Sequence, residues 1–283
     1  MRVDGRKTKG LSTIEQAVPY IMPKRVDAQN CVTEYVEEEP IKQFIRQMRE
    51  EQGVHLGRMS VVIAAYYKTV LRYPYVNRFV MNRKIYDRNH FCVSFVMLKT
   101  REDGRADETT VKLFLEPTDT VFTIHEKIEE LIQKNSVPEH NNSTDKFSQF
   151  MFSLPLLPYL VVTLFRLLDK WGALPRFIID LSPFHTSMFI TNLASINTTH
   201  IYHHCYEFGT TSVFMCMGKA IPNHQTMEKD KKLIPLSIVM DERICTGNDY
   251  ATFNKAFLRT LRHPETLLEM GQKDENAAFA ESK

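Results

Sequence analysis

At 283 residues the chain is long enough for one large domain or two small ones. Hydrophobic residues at 43% and charged residues at 25% exclude a disordered, collagenous or disulfide-scaffold protein, and a formal charge of +2 gives no gross electrostatic pull toward nucleic acid or an anionic membrane. The 5 cysteines, Cys31, Cys92, Cys205, Cys216 and Cys245, form no C-x-x-C pair. Neither a disulfide framework nor a thiolate metal site is indicated, and reduced thiols point to a cytoplasmic protein.

The start, Met1-Arg-Val-Asp-Gly-Arg-Lys7, lacks an apolar h-region, so no signal peptide is expected and the sequons at Asn142 and Asn197 carry no meaning. Residues 1–18 read as a loose lead-in and 271–283 as a frayed tail. Pro40 opens a helix in which Ile41, Phe44, Ile45 and Met48 recur at helical spacing, and Gly53 closes it. Ser60 to Leu71 is apolar nearly all round, which predicts a helix buried on most faces and stopped at Tyr73-Pro74. Phe79–Met81 and Ile85-Tyr86 flank Asn82-Arg83-Lys84 as a hairpin. Phe91–Leu98, the Asp103-Gly104 turn and Thr109–Leu115 read as a second one.

Thr123 with Glu126 three residues on is a capping-box pattern for a helix carrying Ile124, Ile128, Leu131 and Ile132, ended by the polar run 135–145. Phe150 to Phe165 is mostly apolar. Ser153, Pro155, Pro158 and Thr163 interrupt it and Arg166 ends it, short of the roughly 18 uninterrupted residues of a spanning helix. A buried or oligomer-facing helix is expected there, with membrane-surface contact as the lesser alternative. Phe177–Ile179, Met188–Leu193, Ser212–Met217 and Leu233–Met240 are β-rich, and a last helix runs from about Asp249 to Leu261. Helices mixed with mostly antiparallel hairpins make an α+β domain.

The segment Leu233-Ile-Pro-Leu-Ser-Ile-Val-Met-Asp-Glu-Arg-Ile-Cys-Thr-Gly247, with a helix ending at Arg262-His-Pro-Glu265, resembles the C-terminal end of the dihydrolipoamide acyltransferase catalytic domain of 2-oxo acid dehydrogenase complexes. The related chloramphenicol acetyltransferases share it. Leu71-Arg-Tyr-Pro-Tyr-Val-Asn-Arg78 with Ile85-Tyr-Asp87 is similar to the family's helix end and following hairpin, and Phe189-Ile-Thr-Asn-Leu-Ala194 to its F-T-[IV]-S-N-L-G segment. The resemblance covers roughly Pro19 to Glu265, with an apparent insertion at 135–175, and implies a catalytic domain over 19–270. It implies a two-layer α+β subunit with a mixed, largely antiparallel sheet, assembled as a trimer. Active sites would lie between neighbours, where coenzyme A or an acyl-coenzyme A meets an acyl acceptor.

The family signature is H-x-x-x-D-G. Here Glu242 stands in the histidine position and Thr246 in the aspartate position, while Asp241, Arg243 and Gly247 match. The family's oxyanion-binding hydroxyl falls on Thr191, beside a matching Asn192. Against a thiol near 8.5, a histidine base is about 2 pH units short and a glutamate about 4. The difference of about 3 kcal/mol is worth roughly a hundredfold in rate if fully felt in the transition state, and burial recovers part of it. A neutral Thr246 pairs with arginine less strongly than an aspartate does. The resemblance therefore implies an altered site: Glu242 as base, Thr191 as oxyanion donor, Thr246 in place of the acid, and acyl transfer weakened or lost.

Cys245 reads as a small buried hydrophobe rather than a thiolate nucleophile, and His200, His203 and His204 beside Cys205 as loop or interface residues rather than metal ligands. His185 and His200 are alternative bases that no spacing selects. With roughly 18 lead-in residues too few to fold as a domain, the lipoyl domain, with its modified lysine, that the resemblance places ahead of the catalytic domain is not expected here. The competing expectation is a catalytically silent trimeric scaffold whose 135–175 insertion docks a protein partner through exposed apolar surface.

Overall fold

The structure is a computed structural model that describes residues 2–100, 106–136, 156–223 and 231–271. It opens with strand β1 (Gly5–Lys7) and helix α1 (Thr13–Ile21). The Ser12 hydroxyl accepts from Glu15 N while the Glu15 carboxylate accepts from Ser12 N, a capping box. Residues 1–18, expected as a loose lead-in, thus contain a strand and most of a helix. Composition misled because the ordering comes from distant partners: β1 pairs antiparallel with a later strand, and Arg2 and Asp4 are buried.

Strand β2 (Gln29–Glu37) leads into α2 (Glu38–Gln52), which ends on Gly53 at φ 70°, a left-handed cap whose N–H reaches Arg49 O. Helix α3 (Arg58–Arg72) is the central helix, and Val61 through Tyr67 are all buried in it. The hairpin β3 (Arg78–Met81) and β4 (Lys84–Arg88) turns through Asn82 and Arg83 at φ 49° and 58°. This is the doubly left-handed turn that suits the twist of a tight hairpin. Together β1, β4 and β3 make a small three-stranded sheet.

The second hairpin, β5 (Phe91–Thr100) and β6 (Ala106–Leu115), lies at one edge of the main sheet. Helix α4 spans Val121–Ser136. Its capping pair is Thr120 with Thr123, each backbone N–H donating to the other's hydroxyl, so the helix starts earlier than the Thr123–Glu126 pattern implies. Hydroxyl at both positions closes the box locally and leaves Glu126 free. Helix α5 (Leu157–Trp171) follows, and α6 (Arg176–Leu181) stands where β-rich composition predicts a strand over Phe177–Ile179. Pro175 at the N-cap directs that short segment into a helix. Strands β7 (Met188–Asn192), β8 (Val213–Met217), β9 (Ile221–Pro222) and β10 (Lys232–Asp241) and helix α7 (Gly247–Arg262) complete the chain.

The main sheet runs β2-β10-β8-β7-β5-β6, with β9 beside β10; β5–β7 and β7–β8 are parallel and the other pairs antiparallel. Strand alternation divides its side chains between two faces. Met188, Ile190, Val213, Met215, Ile234, Leu236, Ile238 and Met240 enter one core shared with α2, α3, α4 and α7. There Tyr66 meets Phe253 and Phe257 edge-on at 5.0 and 5.6 Å. Phe189, Phe214, Cys216 and Val239 face the other way. The segment 198–206 lies over them: the His203 ring stacks on Phe214 at 3.9 Å, and Ser237 Oγ donates to Ile201 O.

The mostly apolar stretch expected to form a buried or oligomer-facing helix is, in its described part, α5 with only Asp169 buried. Residues 137–155 of the insertion and 272–283 of the tail lie outside the described residues.

One titration follows from the packing of the hairpin. His90 packs its ring 5.4 Å from Phe114 and has Nε2 buried without a hydrogen-bond partner. Burial, then the charges of Arg88 and Lys112, push it down to about 3. The folded chain holds it neutral where the unfolded chain, near 6.5, takes up a proton. Its contribution is therefore complete above about pH 6.5 and is lost as pH falls toward 3, with about 2 kcal/mol gone by pH 5. Urea unfolding at pH 7 and pH 5 should show wild type losing about that much more than His90→Gln, whose amide does not titrate in this range; equal losses contradict it.

Candidate functional site

Strand β10 ends at Asp241, which is wholly buried. Its Oδ1 accepts from Arg243 N at 3.2 Å and Arg243 Nε at 2.7 Å; its Oδ2 accepts from Arg243 NH2 at 2.7 Å and Arg25 Nε at 3.3 Å. Arg25 also donates to the carbonyls of Tyr206, Val80 and Gly209, and Arg243 to those of Met22 and Pro23. Burial lowers the Arg243 guanidinium, but the hydrogen bonds and charge of Asp241 outweigh that and leave it raised. Tyr250 of α7 donates to Asp241 O at 2.7 Å. The two residues flanking Glu242 are therefore a fixed internal clamp of charge-assisted bonds.

Glu242 sits between them with its N–H on Ala28 O at 2.8 Å and its carboxylate, partly exposed, accepting from Asn30 Nδ2 at 2.8 Å. Asn30 lies on the edge strand β2 and lines a groove of about 370 Å³ together with Val32, Tyr250, Asn254, Lys255 and Leu258. The Oδ1 of Asn254 is buried there without a hydrogen-bond partner.

Thr246 is the N-cap of α7. Its hydroxyl accepts from Asp249 N and donates to Asp249 Oδ2, and its own N–H reaches the same carboxylate. This capping box occupies the hydroxyl within its own turn. Cys245 is buried, and burial, then the charge of Asp249, raises its thiol far above the ordinary range. It is not a poised thiolate, in keeping with its sequence reading.

Thr191 is on β7, opposite Cys216 of β8, which is opposite Ser237 of β10. Glu242 lies five residues beyond Ser237. At about 3.3 Å per residue and 4.8 Å per strand step, that places Thr191 and Glu242 roughly 20 Å apart within one chain. The fold does not bring the two together in a single subunit. Asn192, next to Thr191, has Oδ1 buried without a partner.

The histidines take other roles. His203 lies flat on Phe214, and burial lowers its pKa; among the described residues no group of three or more His, Cys, Asp or Glu side chains is placed to hold a metal. His185 is fully buried, with Nδ1 2.8 Å from Ser182 Oγ and Nε2 3.1 Å from Asp169 Oδ2. The order serine, histidine, aspartate is that of a nucleophile chain. The same Asp169 is held by Arg2 at 2.7 Å, however, so the arrangement joins the chain start, α5 and the segment leading into β7 as a buried staple. Asn30, the residue that orients Glu242, was not singled out in sequence, because β2 mixes polar and apolar residues as an edge strand does.

No family model matches the sequence, and no curated protein does. Solved structures match over nearly the whole chain. A probable dihydrolipoamide acetyltransferase from Listeria monocytogenes 4b F2365 aligns over 91% of this chain and 95% of its own, at 12% identity and a TM-score of 0.57. The cubic core of the pyruvate dehydrogenase multienzyme complex aligns over 93% and 94%, at 11% identity and 0.56. A chloramphenicol acetyltransferase aligns over 91% and 99%, at 12% identity and 0.55. The chain has the mixed α+β fold of the acyltransferase catalytic domain found in dihydrolipoamide acetyltransferase cores and chloramphenicol acetyltransferase.

Proposed function

We propose that the chain transfers acyl groups from a coenzyme A thioester to a small acceptor, at a site formed between copies of a homotrimer. Glu242 of one copy is the base and Thr191 of the next stabilises the oxyanion. The observation that carries this reading is the clamped turn: Asp241, Arg25 and Arg243 fix the backbone on both sides of Glu242, and Asn30 orients a carboxylate still partly open to solvent. The separation of roughly 20 Å within one chain is what a shared site requires, since the second half must come from a neighbour. The unpartnered Asn254 Oδ1 in the adjoining groove supplies an acceptor for an amide N–H such as those of a pantetheine arm.

By reference values a glutamate is about 2 units less basic than a histidine, a difference worth roughly a hundredfold in rate when fully felt in the transition state. Thr246, engaged as a cap, takes no chemical part.

Calorimetric titration of coenzyme A and acetyl-coenzyme A into the oligomer should saturate near one site per subunit. Glu242→Gln should lower turnover at least tenfold while leaving coenzyme A affinity unchanged, because the amide accepts no proton. Unchanged turnover rejects Glu242 as base. The capping role of Thr246 favours a second reading, in which the fold is kept for assembly alone; an intact oligomer that takes up no coenzyme A at millimolar ligand supports it.

A further inference from the structure

On α5 and its N-cap the residues Leu156, Leu160, Leu164, Leu167 and Trp171 recur at spacings of four, four, three and four, which sets them along one stripe. All are open to solvent, at 71, 58, 52, 50 and 75% of full exposure. Tyr159 borders the stripe, and α6 adds Phe177 and Leu181, four apart and 71 and 81% exposed. The opposite side of α5 is anchored by Asp169 through Arg2 and His185. The stripe is therefore held rigidly outward, and so many large apolar side chains in one place mark a contact surface.

The flank of α5 beside the stripe is cationic. Arg166 and Lys170 line a cleft of about 420 Å³ with Arg25, Arg83 and Arg243. Its two lining carboxylates are already engaged: Asp169 by Arg2 and His185, and Glu207 by the Val26 N–H. Arg25 and Arg243 share the single carboxylate of Asp241. Arg83, Arg166 and Lys170 have no carboxylate partner among the described residues. Arg83 is the second residue of the hairpin turn at φ 58°, a position that usually takes glycine, and its guanidinium lies over the Tyr20 ring at 5.7 Å. Tyr20 and Ile21, both exposed, bring apolar surface to the same region from α1.

Lys170 flanks the stripe, about 80° round the helix from its centre, and Arg166 lies about 120° round, toward the cleft that it lines with Arg83. The stripe suits acyl chains, the indole suits the boundary between chains and headgroups, and the cations suit phosphodiesters. An isologous contact with a second copy would set the same cations against one another; a heterologous contact, as in a trimer, would not, and the oligomeric state of the Leu164→Glu variant below distinguishes it. At 15 residues α5 is about 22 Å long, and no helix among the described residues is long and apolar enough to cross a membrane. We propose that this face docks on anionic phospholipid bilayers. Helix α5 lies in the plane of the surface, with Leu160, Leu164 and Leu167 among the acyl chains and Arg83, Arg166 and Lys170 on headgroup phosphates. The sequence reading favoured a buried or oligomer-facing helix for this segment, with membrane-surface contact as the lesser alternative.

Trp171 is the only tryptophan of the chain, so its fluorescence reports this contact without labelling. The full chain is titrated with vesicles of phosphatidylcholine alone and of phosphatidylcholine with phosphatidylglycerol, and binding is checked by co-sedimentation. Anionic vesicles should shift Trp171 emission to the blue and bind at least tenfold more tightly than neutral ones, with affinity falling as salt rises. Leu164→Glu should abolish sedimentation. Arg166→Glu with Lys170→Glu should remove the preference for anionic vesicles. All three positions are exposed, so circular dichroism of the variants should be that of wild type. Absence of binding to anionic vesicles, or binding indifferent to these substitutions, overturns the proposal. So does a stable oligomer that Leu164→Glu dissociates without any vesicle binding, which assigns the stripe to a second copy.

Discussion

Replacing Asp241 with alanine is expected to destabilise the protein by about 3–5 kcal/mol, the range for breaking a buried ion pair from one side. The carboxylate is wholly buried between two arginines and accepts from both, as well as from the Arg243 N–H. Removing it leaves two guanidiniums held in place by carbonyls alone, with no negative charge in contact. Asp241→Asn keeps the volume and one acceptor oxygen but not the charge, so it should recover only part of the loss. The informative comparison is Glu242→Ala next door. That side chain is partly exposed and has one hydrogen bond, from Asn30, so its loss should cost within about 1 kcal/mol. Urea unfolding of the three variants checks the contrast. Similar losses at positions 241 and 242 would mean that the turn is not organised around the aspartate.

This contrast bears on how the D-x-R pattern reads in sequence. Asp241 and Arg243 match the acyltransferase motif, and in the structure their match is structural: the pair closes the end of β10. The positions that depart from the motif have separate fates. Thr246 became a helix cap, which its spacing to Asp249 could have signalled as a capping box. Glu242 kept a partly open position that no local pattern predicts, because its orienting partner, Asn30, is 212 residues away.

The same distinction between local and distant signals runs through the fold. The α3 segment, the first hairpin, strands β5 to β8, β10 and α7 were legible because their signals are local: apolar periodicity, the two-residue turn of the first hairpin and Gly or Pro stops; the Asp103-Gly104 turn read for the second hairpin lies outside the described residues. Edge strand β2 was not legible, since pairing on one side lets Cys31 and Tyr35 remain exposed and blurs the alternation. Phe177–Ile179 has β-rich composition but too few residues to outweigh the Pro175 start. The chain start looked loose because Arg2 and Asp4 are charged, and only a partner 167 residues away explains their burial. The fold could be recognised through its C-terminal segment at an identity of 11–12% to solved structures. The anchoring of α5, which decides what its apolar stripe does, had no local signature.

Arg2→Ala is the test of that anchoring, with an expected cost of about 3–5 kcal/mol. The Arg2 guanidinium is buried, pairs with Asp4 at 2.9 Å and Asp169 at 2.7 Å, and lies over the Phe79 ring at 5.2 Å. Without it Asp4 loses its contacting cation, and Asp169 retains only His185. Burial alone would raise both carboxyls. For Asp4 the hydrogen bond and charge of Arg2 outweigh burial, and for Asp169 those of His185 and Arg2 do, so both sit below the ordinary carboxyl value. A carboxyl lowered on folding stabilises the protein above its unfolded pKa, near 3.9, and loses that contribution as pH falls through the lower folded value. The deficit of Arg2→Ala should accordingly be full at pH 7 and shrink below about pH 4, where wild type loses the same interaction by protonation. Arg2→Lys should rescue only part of it, since an ammonium cannot span Asp4 and Asp169 with a planar fork. Hydrogen exchange of α5 amides separates a local from a global effect. Selective loss of protection in α5, with the α3 core still slow, places the staple as the hold on the helix; uniform loss places Arg2 in the stability of the whole fold.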